Sequence, residues 1–286
     1  MISLIYLAYE MTAMNEYMFL NPNWRILTVG DGDLSFSHAL LSAIQPKALV
    51  ASTYDSKETL CNKYTDNALE LLENADVSVL TQFDVTSQAD WQRLNGQQFD
   101  LVIFQFPLIP AFKSERVFKE QTQSTSANTL NRALLHQFIK NACEHALDKA
   151  GPQLCYITSK DVKPYLHWNI EGSLVHNLDA HYLGQMNFDI KQFPGYKVRN
   201  VDRDKHVKDT SGITYVFSPI KNSELCDTLS YPSYLTANHC DLCRAGPFCF
   251  EEDKQKHVNA KKHQQMLKLE ADWKQWLTQF HKKDHA

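Results

Sequence analysis

An α/β fold built on a parallel sheet is what this sequence predicts, on three observations. Short β-rich apolar runs alternate with stretches that carry apolar residues at helical spacing. The alternation continues to about residue 221 and then stops. The chain has 286 residues, 43% hydrophobic and 22% charged. That suffices for one large domain, or for a domain of about 200 residues with a small appendage.

The elements follow in order. Residues 25–29 form a buried strand, then comes the turn Gly30-Asp31-Gly32-Asp33 and a helix over 35–43. A second strand covers 48–54 and ends at Asp55. Residues 57–73 place Leu60, Tyr64, Ala68, Leu71 and Leu72 at helical spacing, which predicts one helix. A third strand over 77–80 closes on Phe83 and Asp84. Residues 101–104 are the fourth strand, 154–157 the fifth and 213–217 a late one. Strands separated by helices pair in parallel through right-handed crossovers. The polar stretch 109–129 follows the fourth strand, at the sheet edge where open α/β proteins bind ligands, and reads as a lid. The boundaries are therefore an N-terminal extension over 1–23, a main domain over 24–221, a linker over 222–239 and a small module over 240–286.

Composition excludes several classes. Nine glycines and ten prolines are too few for a collagen-like or low-complexity chain. The net charge of −4 advertises no global basic field, so a nucleic-acid partner needs a local patch. Of seven cysteines, Cys61, Cys143, Cys155 and Cys226 stand alone while Cys240, Cys243 and Cys249 crowd together. That is no secreted disulfide framework, and a reducing, cytosol-like compartment is expected. The apolar start is broken by Glu10 and Glu16 and is too short to span a bilayer.

The loop 30–33 joins a strand to a helix, where glycines permit a tight turn and a close approach of backbone N–H groups to a ligand. Ser35 stands where a dinucleotide fingerprint wants its third glycine, and two carboxylates would repel a pyrophosphate. They suit a ligand with an ammonium group and hydroxyls, and S-adenosylmethionine has both. Asp55 is placed for the ribose hydroxyls and Asp84 for the adenine amine. The alternative is a plain turn with a helix cap.

Gly30-Asp31-Gly32-Asp33-Leu34-Ser35-Phe36-Ser37 resembles the G-E-G-D-F-S-F-S motif of the ribosomal RNA (uridine-N3)-methyltransferase-like family. Ser52-Thr53-Tyr54-Asp55-Ser56 is similar to its T-S-Y-D-S, and Phe104-Gln105-Phe106-Pro107-Leu108 to its F-N-F-P-H. Weaker matches lie at 164–170, 193–196 and 214–217, so the resemblance covers about residues 24 to 218 in consistent order. It implies a Rossmann-like class I methyltransferase sheet with helices on both faces, S-adenosylmethionine as cofactor and structured, ribosomal RNA as partner. Gly30, Asp31, Gly32 and Asp33 would line the methionine part, with Ser35 and Phe36 completing that motif, Asp55 on the ribose and Asp84 on the adenine. Gln105, Phe106 and Pro107 would grip the target base. Gln105 replaces the family's Asn and Leu108 its His, which puts the methylated atom in question.

Methyl transfer to uracil N3 needs a leaving proton, and Asp33 is the first candidate base, with a helix cap as its other reading. An extruded nucleotide needs aromatic surface, from Phe106, Tyr165 or Trp168, unless these are core residues. Cations at 196–199 and 203–208 could hold phosphates or could be a solvated face. Two other functions fit the same residues: an RNA-binding scaffold without catalysis, and a methyltransferase for a small molecule or protein.

In the module, Cys240 and Cys243 are followed by His257 after thirteen residues and His263 after five more. This spacing is within a residue of a two-Cys, two-His finger and predicts Zn²⁺. The run 257–263 resembles the H-x-x-G-K-K-H of matrin-type and double-stranded-RNA-binding fingers, with Ala260 in place of Gly. Cys249 or His239 could replace a ligand, and a metal-free thiol cluster is the remaining alternative. Residues 240–286 carry nine Lys/Arg against seven Asp/Glu, a modest basic footprint for RNA. Residues 270–280, with Trp273, Trp276, Leu277 and Phe280, read as a helix that packs on the main domain.

Overall fold

The computed structural model describes residues 18–110, 112, 114–122, 125–200, 203–206, 211–221 and 225–284. Most of the predicted N-terminal extension, residues 207–208 of the second cationic run, and residues 222–224 of the linker lie outside that set. The chain order is β1 (Arg25–Val29), α1 (Ser35–Ile44), β2 (Ala48–Ser52), α2 (Lys57–Lys63), α3 (Leu69–Asn74), β3 (Ser78–Leu80), α4 (Gln88–Gln92) and β4 (Leu101–Gln105). Then come α5 (Glu115–Thr122), α6 (Ala127–His145), β5 (Leu154–Lys160), α7 (Ile170–Ser173), β6 (His181–Phe188) and the pair β7 (Arg199–Asn200) and β8 (Arg203–His206). β9 (Gly212–Ser218), α8 (Glu251–Val258) and α9 (Lys261–Asp284) complete it.

Seven strands form one sheet in the order β3-β2-β1-β4-β5-β9-β6. β1 to β5 pair in parallel, as expected from the alternation. β9 runs antiparallel to both β5 and β6, so the sheet is mixed and not wholly parallel. Alternate residues of one strand face opposite cores. Ile26, Leu101 and Ile103 join one cluster with Phe36, Leu40 and Tyr156, while Leu27, Val102 and Phe104 join the other with Phe138 and Ile139. Both faces are thereby covered by helices.

The predicted helix over 57–73 is broken into α2 and α3. Tyr64 turns out of helical geometry, Leu71 is exposed, and the Ala68 N–H donates to the Asp33 carbonyl at 2.9 Å. The lid segment holds α5, and α6 begins within it, capped by the Ser126 hydroxyl.

The C-terminal part is fastened to the body. In the predicted linker, Ser230 and Gln185 exchange backbone hydrogen bonds of 2.9 Å beside β6. Arg244, just after the second module cysteine, places Nε 2.9 Å from Glu171 Oε1 and donates from its Nη2 to Tyr215 Oη at 3.0 Å. α9 lies on α6, as its aromatic spacing predicted. Trp273 is fully buried, the Arg132 guanidinium sits 4.9 Å over its ring, and Arg132 pairs with Glu270 at 2.7 Å. Removing one partner of a buried ion pair leaves the other charge unpaired, which costs about 3–5 kcal/mol. Glu270→Ala is therefore expected to lower stability to urea by roughly that amount. Hydrogen exchange should rise first along α9. Unchanged exchange there would show that the pair does not fasten the helix.

Candidate active site

Gly30 ends β1 at φ +62°, and a Cβ at that point would lie 2.4 Å from Phe104 Cε2. Only glycine fits. Gly32 is different: a Cβ there would meet nothing closer than Tyr64 Oη at 3.4 Å, and its φ is ordinary. The second left-handed residue of the loop is Leu34, at φ 64°, ahead of α1.

The two carboxylates of the loop are buried and engaged. Asp31 Oδ2 accepts from the Ser37 N–H at 2.7 Å and from its hydroxyl at 2.6 Å. Burial, and then the charge of Asp33, push the Asp31 carboxyl up to about 7, against the pull of Ser37. Asp33 Oδ1 accepts from the Ser35 N–H at 3.0 Å and its hydroxyl at 2.6 Å, and Oδ2 accepts from Arg199 Nε at 2.6 Å. With both oxygens taken and an arginine against it, Asp33 acts as a cap and anchor and is not placed as a free base.

A strap over residues 193–199 lies across the loop. Phe193 and Tyr196 pack on Phe36 with ring centroids 5.1 and 5.2 Å away. The Lys197 N–H donates to Ser35 Oγ at 3.1 Å, and Lys197 and Arg199 both pair with Asp66. Of the cations read above as phosphate grips or a solvated face, Lys197 is thus held by Asp66, and Arg199 by Asp66 and Asp33.

Loop, strap and lid line an open-sided chamber of about 1000 Å³ at the C-terminal ends of the parallel strands. That is the upper end of the range of roughly 300–1,000 Å³ for small-molecule sites. Gly30, Asp31, Gly32, Asp33, Asp55, Asp84, Gln105, Phe106 and Pro107 all line it, as expected. Ser35 and Phe36 do not. They lie beneath the loop, Ser35 capping Asp33 and Phe36 in the aromatic core, so their part in the cofactor site is support. Tyr165 and Trp168 are absent from the walls too. Trp168 is only 2% exposed and belongs to the core, which removes it as a stacking surface.

At one end, Asp55 Oδ2 accepts from Lys63 Nζ at 3.1 Å, and Asp84 Oδ1 accepts from the Thr86 N–H and hydroxyl at 2.8 and 2.7 Å. At the other end sits Gln105. It is 8% exposed, and neither Oε1 nor Nε2 has a hydrogen-bond partner. Leaving such buried groups unpaired costs about 1–3 kcal/mol, which makes this amide a candidate contact for a ligand. Phe106, at φ 45°, follows it in a strained turn, its ring against Phe188 at 5.4 Å. Lys63, Tyr64 and Trp276 also line the chamber and were not read as site residues. The first two were hidden in an apparent helix.

In the C-terminal module, Cys240, Cys243, His257 and His263 bring one ligand atom each to within 4.8 Å of one another. His263 Nδ1 lies 3.5 Å from both sulfurs. Cys249 is exposed and outside the cluster, and His239 Nδ1 faces the Ala237 carbonyl at 3.0 Å. Among the described residues, no helix is long and apolar enough to cross a membrane.

A seven-stranded sheet with this order and an acidic glycine loop at its switch point define a class I methyltransferase. Residues 27–200 match the model of the BMT5-like family, described as rRNA (uridine-N3-)-methyltransferase, and the chain belongs to that family. It is an S-adenosylmethionine-dependent methyltransferase whose substrate is RNA. An uncharacterized Arabidopsis thaliana protein, At4g26485, is 28% identical over 175 residues, which are 60% of this chain and 79% of that protein. Heavy metal-associated isoprenylated plant protein 41 from the same plant is 27% identical over 185 residues, 64% of this chain and 34% of that longer one. The Bacillus subtilis m1A22 tRNA methyltransferase TrmK superposes with a TM-score of 0.40 at 11% identity, covering 92% of this chain and 94% of its own. So loose a superposition bears on neither substrate nor mechanism.

Two outcomes follow from the loop. Gly30→Ala is expected to lower the melting temperature and abolish cofactor binding together, because of the Phe104 contact. Gly32→Ala should keep the melting temperature and weaken S-adenosylmethionine in calorimetry. Equal melting losses in both variants would contradict this division. Asp31 gives a pH effect. Its carboxyl is raised from 3.8 to about 7, so the stability it contributes is full below 3.8 and lost as pH rises through 7. The cofactor-free protein should therefore lose more stability between pH 5 and pH 8 than Asp31→Asn does. Parallel pH profiles would refute the assignment.

Proposed function

We propose that the protein methylates the imide nitrogen, N3, of an unpaired uridine in ribosomal RNA. The observation that carries this reading is the unpartnered, buried Gln105 amide in the chamber that also holds the acidic loop. An amide offers a donor and an acceptor side by side, the complement of the adjacent C=O and N–H on a uracil edge. Donation from Nε2 to a uracil carbonyl oxygen stabilises the charge that collects there as N3 gives its proton to solvent water. The longer Gln reaches further than the family's Asn by one methylene. Leu108, in place of His, packs against the core and adds an apolar wall.

The residues present fit S-adenosylmethionine. The cradle at Gly30 admits no Cβ, and the Asp31 carboxyl, half-ionised near neutrality, suits a ligand bearing ammonium and sulfonium charges. Asp31 and Gly32 would hold the methionine part, Asp55 the ribose and the Asp84 turn the adenine. When bound, the cofactor supplies an electrophilic methyl group. The chain positions the uracil, excludes water through the lid's Ile109 and Phe112, and keeps the loop's charges fixed.

The four-ligand cluster of the module is assigned one structural Zn²⁺. Zn–S bonds of about 2.3 Å and Zn–N bonds of about 2.0 Å give tetrahedral edges of roughly 3.3–3.8 Å. The two Sγ to Nδ1 distances of 3.5 Å fall within that range. His257 Nε2 is buried without a partner, which is the state of a ligand atom. Four protein ligands leave no open position for an activated water, so the ion holds structure only.

Gln105→Leu tests the substrate reading. It should bind S-adenosylmethionine like the wild type and transfer methyl to RNA about 100-fold more slowly, the loss typical of one removed charge-stabilising donor. Wild-type rates in that variant would overturn the role. For the module, metal analysis should find one zinc per chain, and Cys243→Ser should release it. A metal-free protein with both cysteines freely alkylated would refute the assignment.

A further inference from the structure

A chain with a net charge of −4 needs a local patch of cations to hold RNA phosphates. The strap does not supply it, since Lys197 and Arg199 are held by Asp66 and Asp33. A second group of cations lies beside the Gln105 end of the chamber. Gln105 pairs in register with Thr158 of β5, and Lys160 ends that strand two residues, or roughly 7 Å, further on. Lys160 Nζ sits 5.7 Å over the Tyr165 ring, and burial lowers its pKa. Lys163, exposed, follows in the turn after the strand. That turn is well fastened. Tyr165 packs edge-on to Trp168 at 5.0 Å, and Asn128 Nδ2, from the first turn of α6, donates to the His167 carbonyl at 2.9 Å.

The C-terminal module brings a third lysine to this turn. Arg244, beside the ligand Cys243, has Nη1 3.6 Å from Asp161 Oδ1, and His263 Nδ1 lies 3.5 Å from the Cys243 sulfur. Lys262, next to His263, is exposed. Its charge and that of Lys163 both act on the His167 imidazole, whose pKa is lowered first by burial and then by these two lysines. Cations from two separate parts of the chain are thus gathered around one turn. Among the described residues, Lys160, Lys163 and Lys262 pair with no carboxylate, whereas Lys256 on α8 pairs with Asp253 at 3.7 Å. Asp161, the one acid between Lys160 and Trp168, is drawn to Arg244. Three lysines held together without acids between them suit a polyanion.

We propose that Lys160, Lys163 and Lys262 form one phosphate-binding rim for the substrate RNA, shared between the methyltransferase domain and the C-terminal module, which holds the strand where its base enters the Gln105 end of the chamber. This rests on the RNA reading above. Lys262 lies beyond the family match, which ends at residue 200, so half of the rim comes from outside the matched domain. The module's knuckle, tied to the body through Arg244, fixes Lys262 against the turn after β5 and does not reach for RNA as a separate arm. Phosphate contacts set the register of a strand and carry no sequence information, so the rim supplies affinity and Gln105 supplies selection.

The test uses the full chain and an rRNA fragment containing unpaired uridines, with affinity followed by fluorescence anisotropy over a salt series. Lys160→Gln, Lys163→Gln and Lys262→Gln should each weaken binding. Each should also make the plot of log affinity against log salt shallower by about 0.7–0.9, the loss of one phosphate contact. The pair Lys163→Gln with Lys262→Gln should lower the slope by about twice that. Lys47→Gln with Lys149→Gln removes the same charge before β2 and β5, at the opposite ends of the strands, and should leave the slope unchanged. S-adenosylmethionine affinity and metal content should match the wild type throughout, and Lys262→Ala replaces Lys262→Gln if the latter loses metal. An unchanged slope in any of the three single variants, or an equal loss in the Lys47 and Lys149 control, would overturn the shared rim alone. A wild-type protein that neither binds nor methylates RNA would overturn the RNA reading, and the rim with it.

Discussion

Two carboxylates buried within one turn, Asp31 and Asp33, are the constraint around which the rest is arranged. Neither can stand unpaired at the end of β1. Ser37 and Ser35, the first polar groups of α1, meet one each, which fixes how that helix leaves the loop. Arg199 meets the second oxygen of Asp33 and so draws a strap from 166 residues further along the chain over the loop. The break between α2 and α3 serves the same point. It frees the Ala68 N–H for the Asp33 carbonyl and turns Tyr64 into the chamber, where Arg199 lies 5.6 Å over its ring.

The chamber thus has two chemically distinct ends. One is acidic, built from the ends of β1 and β2 and the turn after β3, and suited to a cationic nucleoside. The other is apolar with a single unpaired amide, built from the end of β4, the lid and two helices. In-line transfer requires that both ligands share one space, and a single cavity lined from Gly30 to Trp276 provides it. The C-terminal module is not a free appendage to this arrangement. Arg244 ties its cysteine knuckle to Glu171 and Tyr215, and Arg132 with Glu270 ties its long helix to α6.

Much of this was legible in the sequence, for identifiable reasons. β1, β4 and β5 are continuous apolar runs because both sheet faces are covered, and the G-D-G-D loop with Asp55 and Asp84 marks strand ends that ligands use. β6 was missed. Gly184 and the exposed Asn187 break its alternation, and it lies at the sheet edge. Helical spacing hid the break near Tyr64, because Leu71 matches the pattern but faces solvent. The pairing of Asp33 with Arg199 is a contact across the fold that no local pattern carries, so the sequence left base and helix cap both open for Asp33. Of the two glycines, only coordinates show that Gly30 is the one with no room. Trp276 fell within a helix rightly read as packing on the main domain, and its place at the cavity's edge depends on how α9 lies on α6.

The central claim is that this chamber joins an S-adenosylmethionine site to a uracil held by its imide edge. It is tested most directly by where the methyl group goes. Ribosomal RNA is incubated with the protein and a methyl-deuterated donor, digested to nucleosides and resolved by mass spectrometry. The account predicts deuterium in 3-methyluridine. Deuterium in a different nucleoside, or at uracil C5, would contradict it.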